Sequence, residues 1–240
     1  MRFELDKFNG VIIDPASIPE TAAEQKAELE NLLEYLEAEN KSLSWISLPI
    51  SCSESIPLFI RAGFTFHSCL RDELTLVREP TDSAFVPFIP THTIGAGAIV
   101  LNRANEILLI RERGTTGFKL PGGFVESAER IQDSIQREVL EETGIETAFE
   151  SIVGFTTKHP YQFGKSNLHF LCRMTALTES IDILDKGEIE DAKWVPLKSY
   201  ISESGNSLPD RQMVSRIVYS EGLVATDFSG NKGPHRRAEI

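Results

Sequence analysis

Covalent reinforcement is nearly absent from this chain. Its 240 residues hold three cysteines, Cys52, Cys69 and Cys172, with no Cys-x-x-Cys. That argues against a disulfide framework and a zinc site, and it fits a reducing cytoplasmic compartment. Positive charge is also scarce. Lys and Arg number 24 against 36 Asp and Glu, giving a net charge of −12 and a pI of about 4.9. A sequence-independent grip on DNA or RNA needs a basic surface, so no nucleic-acid partner is expected. A small anionic substrate stays compatible, because a bound cation reverses the local sign. No apolar run approaches membrane-spanning length, and Met1-Arg2-Phe3-Glu4-Leu5-Asp6 lacks a signal core. No membrane partner is expected. Glycine is rare before Pro90, with Gly10 and Gly63 alone, so this stretch has no glycine-rich loop to cradle a pyrophosphate. Internal repeats and low-complexity tracts are missing too.

What the chain does have is concentrated between Gly123 and Ile145. Apolar Ile131, Ile135 and Val139 stand i, i+4, i+8, which is one helix face. Ser127 suits an N-cap, Glu129 the first turn, and Gly144 the helix stop. On that helix Glu138, Glu141 and Glu142 stand i, i+3, i+4 and form a cluster of carboxylates on one side. Like charges so placed repel, and a hard divalent cation such as Mg²⁺ or Mn²⁺ relieves the repulsion. Arg137 lies one turn before Glu141 and can hold that side chain. Reaching Glu129 is harder, since eight residues of helix span roughly 12 Å. That pairing requires Glu129 to sit in a turn that folds back.

The frame runs Gly123, five residues, Glu129, seven residues, then Arg137-Glu138-Val139-x-Glu141-Glu142-x-Gly144-Ile145. It resembles the Nudix box, and every defining position matches. The resemblance implies a metal-dependent hydrolase that cuts the diphosphate of a nucleoside diphosphate linked to another moiety. It also implies an α/β fold, a Nudix α/β/α sandwich with a mixed sheet. Glu138, Glu141 and Glu142 are then the metal ligands for Mg²⁺ or Mn²⁺. Glu141, Glu188 and Arg137 are the candidate catalytic residues. A second reading keeps the fold but makes it a non-catalytic nucleotide sensor, with the intact box favouring the enzyme.

Arg78 to Pro90 carries three prolines and marks a boundary. The expected division is a pre-Nudix α/β domain over 1–85, a hydrolase domain over 91–225 and a flexible tail over 226–240. In the first part the pattern predicts a strand at 10–14, a helix at 20–39, a strand at 43–50, a helix at 54–62 and a strand pair within 64–78. Leu29, Leu32, Leu33 and Leu36 give the long helix its apolar stripe. The end of this part loosely resembles an acetyltransferase-type fold but lacks a nucleophile–base pairing, and His67 is expected to pack or lie at the surface. Its expected role is dimerisation, as a homodimer, or shaping of the substrate cleft. In the second part, strands are predicted near 94–102, 106–112, 147–156, 167–176 and 190–195, and a helix near 209–219.

Outside the box, enzymes resembling this one carry a Glu ahead of a Trp-containing strand as general base or additional ligand. Glu188, six residues before Trp194, is the candidate; Glu190 and a box Glu are the rivals. Arg111 and Lys119 flank the Phe118-to-Gly123 turn and suit phosphate, and Gly122 and Gly123 let backbone approach a substrate. Lys158 to Ser166 is the substrate clue. Pro160 lies where a proline marks ADP-ribose-cleaving relatives, and Pro160, Phe163 and Ser166 match a marker of NADH pyrophosphatases while Lys158, His159, Gln162 and Gly164 depart from it. Tyr161 and Phe163 can stack a base. The runs Ala62–His67, Pro90–Gly97 and His159–Phe170 resemble one Nudix subgroup. It contains the mammalian protein encoded antisense to basic fibroblast growth factor and plant ADP-ribose/NADH pyrophosphatases. The expected partner is a small-molecule nucleotide, ADP-ribose or NADH.

Overall fold

The structure is a computed structural model that describes residues 1–6, 9–79, 86–204 and 208–224, the side chains of 208–210 excepted. Part of the proline-rich boundary, 80–85, and the whole of the expected tail lie outside the described residues. The described residues fall into two compact units, within Met1–Ile89 and from Pro90 onward.

The first unit is a five-stranded sheet of order β1-β2-β3-β5-β4. Its strands are β1 Phe3–Leu5, β2 Val11–Ile13, β3 Ser44–Pro49, β4 Thr65–Cys69 and β5 Glu73–Arg78. Helix α1, Ala22–Ala38, makes the crossover between parallel β2 and β3. Thr21 caps it by accepting the Glu24 N–H at 3.3 Å, so the helix begins later than residue 20. Leu29, Leu32 and Leu36 seat it on Ile13, Ile46 and Leu76. Helix α2, Ile56–Arg61, adds Phe59, which meets Phe64 edge-on at 5.3 Å. His67 packs against Trp45 at 4.9 Å, and its Nε2 lies 2.8 Å from the Pro87 carbonyl.

The second unit has a mixed six-stranded sheet. Strands β6 His92–Leu101, β7 Glu106–Glu112, β9 Thr147–Lys158, β10 Ser166–Ala176 and β11 Ile189–Pro196 run in the order β11-β7-β6-β10-β9. Only β6 and β10 are parallel neighbours in that order. Between them in sequence, β8, Gly122–Phe124, pairs with the first half of β6, where β7 has diverged. Helix α3, Ile131–Thr143, covers one face through Ile135 and Val139 against Ala96, Ala98, Val100 and Cys172. Helices α4, Leu197–Ser202, and α5, Leu208–Ile217, lie on the other through Leu197, Tyr200 and Val214 against Ile99, Leu109 and Leu171. Sheet and helices thus form the α/β/α sandwich. Burying a side chain such as Ile135 is worth roughly 1.5–3 kcal/mol, against a few tenths for each exposed like-charge pair. Packing therefore holds α3 in place despite its carboxylates.

One local expectation fails. The helix N-cap is Arg130, not Ser127, and Glu129 lies in the preceding loop rather than in the first turn. Ala128 takes a left-handed φ of 65°, which turns the chain back. Glu129 is drawn there by the Arg137 guanidinium and by the Glu126 N–H.

Candidate functional site

Arg137 organises the loop and helix. Its Nε and Nη2 donate to the two Glu129 oxygens at 2.9 and 3.0 Å, a bidentate fork. Its Nη1 donates to Glu138 at 3.0 Å and Glu141 at 3.1 Å. The Glu129 hydrogen bond raises the guanidinium pKa above its ordinary range. In return, Arg137 and the Glu126 N–H hold the Glu129 carboxyl down at about 2. The folded-back turn that this pairing requires is present.

Glu142 is the buried member of the cluster, only 4% exposed, and it accepts the Gly122 N–H at 2.7 Å. Burial pushes its carboxyl up to about 8; repulsion from Glu138 and Glu188 adds, while the Gly122 N–H and Lys119 oppose. Glu138 is raised by burial as well, against the pull of Arg137, with Glu141 and Glu188 adding repulsion. The Glu138 carboxylate rests on the bare Cα of Gly123, where a Cβ would come within 2.6 Å of Oε1. Glu141 is the most exposed of the three.

No set of three His, Cys, Asp or Glu side chains is drawn together as metal ligands among the described residues. Arg137 stands among the carboxylates instead, and Glu142 is turned to Gly122. The donor chemistry nevertheless fits a hard divalent cation. The donors are all carboxylate oxygens, and two of them carry repulsion that a cation relieves.

Glu188 and Glu190 part company. The Glu188 backbone carbonyl accepts the Arg113 N–H at 2.8 Å, and its carboxylate is close enough to act on Glu138 and Glu142. Glu190 pairs with Arg111 at 3.6 Å, and Asp191 takes the other Arg111 donor at 3.5 Å. Arg111 therefore has both Nη atoms turned to acids of the protein, while its buried Nε has no hydrogen-bond partner among the described residues, and its guanidinium lies 5.5 Å from the Phe118 ring. Lys119 pairs with Glu112 and exerts its charge on Glu142.

The two loop aromatics differ. Tyr161 is half-buried, its ring 6.4 Å from Phe124, with Lys158 Nζ 5.3 Å over its face. Phe163 is 95% exposed, at a left-handed φ of 53°. Sequence reasoning assigned no role to Gly95, Gly97, Phe124 or His169, which lie together beside Gly122. The signal was Gly-x-Gly within a strand, a sign of close approach by another group.

A six-stranded α/β/α sandwich with this loop–helix cluster defines a Nudix-type protein. The profile of the NUDIX domain matches residues 91–217, and that of the Nudix hydrolase domain matches residues 1–79. The chain belongs to the Nudix hydrolase family. It is 33% identical over 239 residues to Nudix hydrolase 8 of Arabidopsis thaliana, covering 96% of this chain and 64% of that protein. It is 33% identical over 204 residues to Nudix hydrolase 2 of the same plant, covering 82% and 73%. Nucleoside diphosphate-linked moiety X motif 6 of Homo sapiens is 30% identical over 247 residues, covering 96% and 77%. The subgroup that the flanking runs resemble is the one these relatives represent.

Proposed function

We propose that the second unit hydrolyses the diphosphate linkage of a nucleoside diphosphate joined to another moiety, with ADP-ribose or NADH as substrate. The observation that carries this reading is the ordered carboxylate set, with Glu138 on Gly123, Glu142 on the Gly122 N–H and Arg137 joining Glu129, Glu138 and Glu141. Glu138, Glu141 and Glu142 would hold Mg²⁺ or Mn²⁺, which would supply charge neutralisation of the diphosphate and a lowered pKa for the attacking water. Arg137 keeps Glu138 and Glu141 in place, and its own position is fixed by Glu129. Gly122 and Gly123 make room for the Ala96 backbone and the Glu138 carboxylate rather than for the substrate, so their part is to seat the site's own groups. Glu188 accepts the proton of the attacking water, since Glu190 is engaged by Arg111. The water oxygen bonds to phosphorus and the bridging P–O bond breaks. ADP-ribose then yields AMP and ribose 5-phosphate. Tyr161 holds the base or nicotinamide. Arg111 and Lys119, tied to internal acids, shape the walls more than they clasp phosphate.

The proposed part of the first unit is dimerisation or shaping of the substrate cleft. A panel of nucleotide substrates, each read as kcat/KM with Mg²⁺ or Mn²⁺, tests the reading. ADP-ribose or NADH should lead the panel; a nucleoside triphosphate far ahead of both would overturn the assignment.

A further inference from the structure

The acidity of the chain is not evenly spread. Asp and Glu number 36 among the 240 residues, yet the stretches 83–105 and 151–178 contain neither. The parallel β6–β10 ladder lays parts of these two stretches side by side, with Ser166 opposite His92. The two strand starts are tied together. The Ser166 N–H donates to the Thr91 carbonyl at 2.9 Å, and buried Asn167 donates from Nδ2 to Thr93 Oγ1 at 3.1 Å. Around Ser166 the fold collects His92, His159 and Lys165. His159 Nδ1 lies 2.8 Å from Ser166 Oγ, and His92 Nδ1 lies 2.8 Å from Thr91 Oγ1. Lys165 Nζ donates to the Pro90 carbonyl at 2.8 Å. Lys158 flanks the group, over the Tyr161 ring.

None of these four side chains is paired with a carboxylate among the described residues. Arg111, Lys119, Arg137 and Arg173, by contrast, each stand on an acid. Each hydroxyl engages the Nδ1 of its imidazole and leaves Nε2 over. Where the hydroxyl donates, the ring proton sits on Nε2, and an imidazolium donates from Nε2 as well. Both histidines are exposed. An ammonium has three donors, and Lys165 spends one of them on Pro90. Two imidazole N–H groups and an ammonium are thus left for an anion. A phosphomonoester answers them with three strong acceptor oxygens and a charge of up to two.

The group is separate from the carboxylates. Gly123, under Glu138, pairs with Ala96, and His92 lies four residues before Ala96, about 13 Å along the strand. The two phosphates of one diphosphate share an oxygen, so a diphosphate held at Glu138 does not reach His92.

We propose that His92, His159 and Lys165 form a second anion site, one that takes a phosphomonoester or free phosphate. The imidazole Nε2–H groups donate to two phosphate oxygens, the Lys165 ammonium to the third, and the Ser166 and Thr91 hydroxyls set the two rings. The site stands apart from the proposed hydrolysis and does not depend on it.

The test is made on the full chain in EDTA at constant ionic strength. ¹H–¹³C spectra follow the imidazole resonances, assigned with His92→Gln and His159→Gln, while inorganic phosphate is titrated in. His92 and His159 should shift saturably and His67 should stay still. The double variant His92→Gln, His159→Gln should bind phosphate at least ten-fold more weakly. A linear drift shared by His92, His159 and His67, or a wild-type Kd in the double variant, would overturn the site. Should the double variant fail to fold, the wild-type spectra decide alone. AMP and ribose 5-phosphate, titrated in the same way, identify the source. Either one binding more than ten-fold tighter than inorganic phosphate, with the same two histidines shifted, makes the site a receptor for that ligand's phosphomonoester. Equal affinities make it a site for free phosphate.

Discussion

A single methyl group at Gly123 tests whether the position of Glu138 matters. In Gly123→Ala the new Cβ would stand 2.6–2.7 Å from the Glu138 carboxylate atoms, where ordinary contact begins at 3.4 Å. The carboxylate must retreat by roughly 0.8 Å, the difference between 2.6 and 3.4 Å, and a misplacement of about 1 Å costs on the order of 100-fold in rate. That corresponds to about 2.7 kcal/mol of transition-state stabilisation. Because the obstruction is the end of a flexible side chain and Gly123 has no positive φ, the fold should tolerate the change. A stability change below about 1 kcal/mol keeps Tm within about 4 °C. Gly122→Ala is the contrast. Its Cβ would meet the Ala96 carbonyl oxygen at 2.1 Å with φ at 141°, so the β6–β8 pairing must give way. Initial rates of AMP release from ADP-ribose, with circular-dichroism melts of both variants, read the two effects. Gly123→Ala should lose rate and keep Tm, and Gly122→Ala should lose both. A Gly123→Ala enzyme with wild-type kcat would refute the reasoning about Glu138.

The acid response of the loop follows from Glu129, whose pKa is depressed to about 2. A depressed carboxyl stabilises the fold above its ordinary pKa and loses that contribution as pH falls through the folded value. The Tm gap between wild type and Glu129→Gln should hold from pH 8 to 6 and narrow from pH 5 towards 2; a gap that ignores pH would contradict the pairing. Glu188→Gln should lower kcat on the order of 100-fold while Glu190→Gln stays near wild type, and the opposite ranking would exchange their roles. Tyr161→Ala should raise KM for ADP-ribose or NADH roughly ten-fold with kcat nearly kept. An unchanged KM with a lowered Tm would make Tyr161 a structural anchor.

Helix α3 was legible because its signals are local. Ile135 and Val139 mark the buried face, and Gly144 ends the helix at φ 73° with its N–H on the Leu140 carbonyl. Its start was misread because Ser127 offers a good cap, while the Arg137 fork eight residues on decides where Glu129 goes. Strand β8 was missed for a related reason. It has three residues, two of them glycine, and only its pairing with Gly95–Gly97 makes it a strand. β1 is equally short and is set by its register with β2. Arg111 looked free for phosphate because Glu190 and Asp191 lie about eighty residues away in sequence and meet it only through the β7–β11 ladder. The approach of His169 to Gly95 and Gly97 needed β10 beside β6, a parallel contact that no local pattern reports.

AMP release from ADP-ribose by the full chain, with and without Mg²⁺ or Mn²⁺, tests the central claim most directly when wild type and Glu141→Gln are run together. Glu141 is exposed, so its amide should leave the fold intact. The account predicts metal-dependent AMP release by wild type and loss of most of it, with weaker metal binding, in the variant. Near-wild-type turnover by Glu141→Gln, with metal binding unchanged, would contradict it.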